Sequence, residues 1–360
     1  MPATTHRASH SAAFSGKSGL VLSLLLIAAA GLFLLDILLG SVKIPAAEVL
    51  NILFSKKSEH TAWQFIIEKI RLPKALTAVL AGSALSVSGL QMQTLFRNPL
   101  AGPSELGITA GAGLGVAAVM LAGGGSTGIY AISQLGAGSS WLIIIMAALG
   151  SAAVLSLILL IAGRIRDHVI LLITGVMIGT VTLSIVSIWQ YFSRPEQLQE
   201  YIMWTFGSLG GVTHNHLQVL SIVIVAGILL SYSSSKTLNA LLLGESYARS
   251  MGLSVFASRL VIMAATSLLT GSVTAFCGPI GFVGIAVPHI TRSIMGTSNH
   301  RILIPAACLT GTVLMLFCDI LSQLPGTQTV IPINIVTSVL GAPVVIWIII
   351  SRNNLRSSFS

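Results

Sequence analysis

The chain has 360 residues, of which 54% are hydrophobic and only 8% charged, and its mean hydropathy is +0.91. A soluble domain carries about 25% charged residues, so the composition excludes a water-soluble enzyme or binding module and puts the chain in a lipid bilayer. The formal net charge of +9 does not point to nucleic acid, because the basic residues sit in short connecting segments and form no aromatic-interleaved patch.

In hydrocarbon, backbone polar groups must be satisfied internally, which leaves helices or closed barrels. The apolar runs are far longer than the roughly ten-residue alternating strands of a barrel. The expected fold is therefore an all-α membrane protein. Runs of about twenty apolar residues fall near 19–39, 72–95, 103–122, 141–163, 169–192, 217–233, 259–276, 279–295, 302–323 and 330–350, ten helices in one polytopic domain over 19–352. Residues 1–18 form a tail with Arg7 and Lys17, and the length of the run behind it favours an uncleaved first span over a signal peptide. Residues 353–360 form a second tail. Ten spans return both termini to one side. With that side cytoplasmic, Lys43, Lys56, Lys57, Lys69, Arg71, Lys74 and Arg194 lie outside and the other twelve of the 19 Lys and Arg residues lie inside. That is the asymmetry of the positive-inside rule.

Asp36 and Asp319 fall near outer helix ends, where they are expected to reach water. No acidic or histidine relay stands near the midplane, where an ion-coupled transporter keeps its costly charges. H-E-x-x-H and G-x-x-x-x-G-K-[ST] are both absent from the sequence, so neither a zinc-protease site nor a nucleotide loop is expected. Cys277, Cys308 and Cys318 lack metal-ligand spacing and read as small packing residues. No metal or cofactor is expected in this chain.

Between spans two and three, FRNPLAGPSELGITAGAGLG (96–115) opens with turn signals at Asn98-Pro99 and Gly102-Pro103. Gly107, Gly111 and Gly115 then recur every four positions, a stripe that lets a neighbouring helix approach closely. In span five, Thr174, Thr180, Thr182, Ser184 and Ser187 stand among apolar residues, where hydroxyls commonly bond the preceding turn. His214 and His216 of GGVTHNHL read equally as ligand contacts or as solvent-exposed loop residues.

The segment SSSKTLNALLLGESYARSMGLSVFASR (233–259) is too polar and too short in its leucine run to cross. It predicts a helix–turn–helix broken at Gly244 and Gly252, with Leu238, Leu242 and Leu253 apolar and Glu245, Tyr247 and Arg249 polar. Such an element lies on the membrane or docks on a soluble partner, and its weak basic charge favours the partner. Further on, GPIGFVGIAVPHITR (278–292) breaks its own apolar run. Each interior Gly costs a helix roughly 1 kcal/mol against Ala and Pro about 3, so a task other than spanning is expected. His289 reads as a packing or hydrogen-bonding histidine at a helix end rather than a metal ligand.

R-L-P-K (71–74), G-x-x-x-Q-x-L-F-R-N-P-L-A-G-P (89–103), L-G-E-S-Y-A-R-S-M-G (243–252), GPIGFVGIAVPHITR (278–292), H-R (300–301) and L-G-A-P (340–343) occur in that order. Together they resemble the permease subunits of bacterial ABC importers for iron-siderophore complexes, haem and cobalamin. The resemblance covers nearly all of residues 19–352. It implies a vitamin-B12-importer-like permease fold in the bacterial inner membrane, working as a homodimer or with a homologous permease. It further implies two copies of a cytoplasmic ATPase that bind ATP and Mg, and a periplasmic substrate-binding protein.

The same resemblance assigns residues. The cytoplasmic loop 234–258 inserts into the ATPase, with Gly244, Glu245, Ala248, Arg249 and Gly252 matching the pattern and Glu245 and Arg249 expected at the contact. Arg71 and Lys74 match basic rim positions that dock the binding protein, although on their own they equally fit headgroup anchors of a helix end. A third basic rim position is Gln323 here. Span five lines the dimer axis, with Asp167 and His168 near the cytoplasmic gate and Thr174, Thr180 and Ser184 along the pathway. Gly278, Pro279, Gly281, Gly284, Pro288 and His289 belong to a short tilted helix that transmits motion. The expected cargo is a ferric siderophore or haem, with cobalamin second and an ion-coupled secondary transporter as the rival class.

Overall fold

A computed structural model describes residues 6–55, 60–121, 137–162, 168–323 and 329–357, which form helices and turns with no strand among them. The helices in order are α1 (His6–Leu38), α2 (Ala46–Ser55), α3 (Thr61–Phe65), α4 (Leu72–Leu95), α5 (Ile108–Met120), α6 (Ala137–Ala162) and α7 (His168–Phe192). There follow α8 (Pro195–Thr205), α9 (His214–Ser233), α10 (Ser235–Leu242), α11 (Glu245–Ser250), α12 (Val255–Cys277), α13 (Val283–Met295), α14 (His300–Ser322) and α15 (Ile333–Ser357). Helices occupy all ten of the expected apolar segments. Among the described residues, seven are long and apolar enough to cross a membrane: Lys17–Leu38, Thr61–Leu95, Trp141–Ile161, Val169–Phe192, His214–Ser233, Val255–Cys277 and His300–Ser322. Helices α5 and α13 have 13 residues each.

Three helices were not anticipated. The second span begins earlier than Leu72, because α3 runs through a π-helical turn, Ile66–Arg71, straight into α4. The short α2 folds back beside it, burying Val49 and Ile52 against Ile37, Ile44 and Ile67. Between α7 and α9, α8 lies against α5, and its buried Tyr201 hydroxyl donates to the Gly113 carbonyl at 3.4 Å. Burial pushes that phenol's pKa up from its ordinary value.

Helix α4 is the centre of the bundle. Every residue from Ala81 to Phe96 is buried, and α1, α9, α12, α13 and α14 all pack on it. Lipid tails are as apolar as leucine, so helices here gain little from hydrophobicity and associate through close packing of small residues and interhelical hydrogen bonds. Both are visible. Gly82 of α4 and Gly311 of α14 meet backbone to backbone, flanked by a 3.0 Å hydrogen bond between Ser83 and Thr312. On the α12 side, Thr270 bonds Ser88 at 3.0 Å and Thr266 donates to Gln91 Oε1 at 3.1 Å. The expected glycine stripe is likewise a packing device: Gly111 and Gly115 abut Gly150 and Met146 of α6, and Gly107 abuts Gly179 of α7.

His216 corrects one expectation. It stands in the first turn of α9, buried, with its ring 4.7 Å from Trp141 and 5.8 Å from Phe276. Only His214 is exposed, because the helix begins at His214 and turns the next-but-one side chain inward.

Candidate functional site

The segment between α9 and α12 folds as the expected pair of short helices. Gly244 adopts φ +113° between them and Gly252 φ +82° after them, both in the region that favours glycine. Leu238, Leu241 and Ala248 point into the bundle, and the Ala248 carbonyl accepts from Leu253 N–H at 3.1 Å, closing the turn back toward α12. Outward stand Leu243, Tyr247 and Met251, which are 64%, 50% and 60% exposed, beside the exposed Arg249. Glu245 does not join that surface freely. Its carboxylate pairs with Arg259, buried at the start of α12, and more loosely with Arg249 at 3.5 Å. The exposed Arg249 pair is worth little; the Arg259 pair fixes α11 to α12.

The α10 end of the bundle is cross-linked by side chains from four helices. Arg97, itself at φ +47°, donates to the Leu242 carbonyl at 3.0 Å and so ties α10 to the turn after α4. His289 of α13 reaches the Pro99 carbonyl in that turn at 2.9 Å. Arg292 donates to Gln93 Oε1 at 2.6 Å, and Gln93 Nε2 to the Ile285 carbonyl at 3.0 Å. His300, at the start of α14, is buried between Asn239 and Thr94. In the sequence the H-R pair and Gln93 are motif letters without an assigned task. The available signal was polar side chains, Gln91, Gln93 and Thr94, at the end of an otherwise apolar run.

The broken segment at 278–292 is built from four constraints. Gly278, at φ +75°, ends α12 where a Cβ would lie 2.6 Å from the Trp204 carbonyl, and the Pro279 carbonyl packs on Gly207. Gly281 N–H donates to Asn334 Oδ1 at 3.0 Å. Phe282 holds the strained φ of +66°, with its side chain seated against Gly341 of the L-G-A-P motif. Gly284 then lets α13 lie directly on Gly89 of α4. Pro288 sits inside α13, and the half-buried His289 follows it, its ring on the Pro99 carbonyl.

At the opposite end of the bundle both expected rim cations are directed inward. Arg71 is 7% exposed, and its guanidinium donates to the carbonyls of Ile37, Leu38 (3.0 Å) and Val42, the three that end α1 and follow it. Lys74 pairs with Asp319 at 2.9 Å. Asp36 and Asp319 do not reach water: they are 2% and 1% exposed, and Gln323 Nε2 donates to both, at 2.8 and 3.3 Å. Lys74 and the Gln323 amide face the two buried acids, and the Arg71 guanidinium lies near enough to Asp36 to interact electrostatically. A cleft of about 250 Å³ opens beside this cluster, lined by Gly40, Ser41, Val42, Ile70 and Val330 as well as by Asp36, Arg71 and Lys74.

Helix α7 leaves one side uncovered. Ile173, Met177, Val181, Leu183, Ile188 and Tyr191 are exposed, and the helix packs mainly on α5, α6 and the turn Pro103–Leu106 among the described residues. Thr180 and Ser184 are also exposed, yet both, like Thr174, donate to the carbonyl four residues back, at 2.8–3.0 Å. Asp167 lies outside the described residues, and His168 opens the helix. Among the described residues no group of three or more His, Cys, Asp or Glu side chains could hold a metal ion.

Comparison with known proteins matches residues 24–351 to the FecCD transport family. The vitamin B12 import system permease protein BtuC of two Escherichia coli strains, CFT073 and E2348/69, is 35% identical over 297 residues, 82% of this chain and 86% of each relative. A solved structure described as a metal-chelate type ABC transporter in an inward-facing conformation superposes with a TM-score of 0.77 at 26% identity, over 90% of this chain and 96% of that one. The chain is a multi-span membrane permease belonging to the FecCD transport family.

Proposed function

We propose that the chain is the membrane-spanning subunit of an ATP-driven importer in a bacterial inner membrane, passing a bulky metal chelate to the cytoplasm. The observation that carries this reading is the α10–α11 pair. It is not a span, it is tied to the bundle by Arg97 and Arg259, and it presents Leu243, Tyr247 and Met251 outward. An apolar patch on a rigid non-spanning element suits a protein partner. That partner is a cytoplasmic ATPase, two copies of which bind ATP and Mg for a pair of permeases.

On this reading all ten apolar helices cross, the 13-residue α5 and α13 included, and both termini are cytoplasmic. The uncovered side of α7 meets a second permease copy, and the end bearing α2, α8 and the Lys74–Asp319 pair faces a periplasmic binding protein. With Arg71 and Lys74 engaged inward, their docking role is to shape that rim. The relatives named for vitamin B12 support cobalamin as cargo; the structural relative of metal-chelate type supports a ferric chelate as the second reading.

The test is uptake into proteoliposomes. The permease with its ATPase is expected to accumulate radiolabelled cyanocobalamin, or failing that a ferric siderophore or haem, only when ATP is supplied. Uptake by the permease alone under a proton or sodium gradient would overturn the assignment.

A further inference from the structure

The H-R motif leaves His300 without a task in the exposed coupling surface, yet the buried imidazole joins three helices. Its backbone N–H and its Nδ1 each lie 2.8 Å from Asn239 Oδ1 on α10. A carbonyl oxygen only accepts, so Nδ1 carries the proton. On the other side of the ring, Nε2 accepts from the Thr94 hydroxyl at the end of α4 at 2.8 Å, a proton for which the Leu90 carbonyl at 2.9 Å is the competing acceptor. Asn239 is itself held, its Nδ2 donating at 2.9 Å to Asn299 Oδ1, the side chain that caps α14. From Thr94 the connection continues to α13, because Arg292 donates to Thr94 Oγ1 at 3.4 Å and to Gln93 Oε1 at 2.6 Å.

Apolar helix contacts can slide past one another, whereas a rigid ring bonded at two opposed nitrogens fixes the separation of its partners. Breaking either bond leaves a buried polar group unpaired in a low-dielectric interior. The parallel route through Arg97 and the Leu242 carbonyl is exposed, so water can replace it. We infer that the Asn239–His300–Thr94 bridge is the joint that carries a displacement of α10 to α4 and α13, with His300 as its positioning residue. This rests on α10–α11 being the surface that the ATPase moves.

The joint is tested without knowing the cargo. Nitroxide labels are placed at Lys236 on α10 and Ser293 on α13, both exposed, in a chain whose three cysteines are alanine, purified from its own cells with its ATPase. The distance between them is measured by pulsed electron resonance without nucleotide and with ATP plus vanadate. In the otherwise native protein the two labels move together, so their separation is the same in both states. Thr94→Val and Asn239→Ala each cut one side of the ring. Each is expected to leave the nucleotide-free distance unchanged and to shift the ATP-bound distance on the order of 2 Å, the scale of helix shifts at interfaces. The double variant shifts no further, since the two bonds act in series. An unchanged distance in both variants overturns the joint, as does an equal shift with and without ATP, which would mark a purely structural role. If no ATPase accompanies the permease, it is the coupling reading that fails.

Discussion

Gly89 and Gly284 meet so closely that a Cβ on Gly89 would fall inside the Gly284 carbonyl group. That carbonyl is the one Pro288 cannot serve, since proline four residues on has no N–H to donate. The Cα–H of Gly89 takes the place of the missing donor, a weak contact of the kind that recurs at helix–helix interfaces. The proline in α13 and the glycine in α4 are therefore two halves of one contact, while the break in the apolar segment itself falls just before α13, at Gly278 to Phe282.

Gly89→Ala must push α13 away from α4. Overpacking a filled interface costs about 1–3 kcal/mol, so a lower unfolding temperature is expected, with transport lost more steeply than stability. Gly211→Ala is the control, because nothing lies within 4 Å of its missing Cβ. Thermal unfolding in detergent compares the two, and equal behaviour would argue against the close crossing.

The Lys74–Asp319 pair predicts a different pattern. Removing one partner of a buried pair strands the other, at about 3–5 kcal/mol, whereas replacing both is often close to neutral. Lys74→Met should sharply lower the denaturation midpoint, and Lys74→Met with Asp319→Asn should recover most of it. A double variant no more stable than the single would show that the pair does not hold α4 to α14.

Arg259 and Arg249 separate anchoring from display, for both contact Glu245 but only Arg259 is buried. Arg259→Met should loosen α11, raising proteolytic cleavage near Gly244 and reducing retention of the ATPase severalfold. Arg249→Ala should leave proteolysis unchanged, since exposed ion pairs contribute about 0–1 kcal/mol. Limited proteolysis and co-purification read both.

Much of this was legible in the sequence because apolar runs and helix breakers act locally. The long apolar runs marked the helices, and Gly244, Gly252 and Gly278 marked breaks in them, where φ is positive. Helices α2 and α3 escaped because they are too short for a hydropathy reading, and α8 because it is both short and polar. Asp36 and Asp319 looked water-exposed for a similar reason: position along a helix says nothing of a distant partner such as Gln323, 287 residues from Asp36. Gln323 next to Asp36, His300 next to Thr94 and Gly89 against Gly284 are likewise products of tertiary packing. The motif letters named these residues without revealing their partners.

The central claim is that the face bearing Leu243, Tyr247 and Met251 is where an ATPase grips the permease. A photo-crosslinking amino acid at Tyr247, and separately at Tyr191 at the far end of α7, tests it in intact cells. The account predicts that the ATPase subunit is captured from Tyr247 and not from Tyr191, and that Met251→Asp reduces the yield about tenfold, close to 1.4 kcal/mol of affinity. Capture of the ATPase from Tyr191, or of a periplasmic protein from Tyr247, would contradict it.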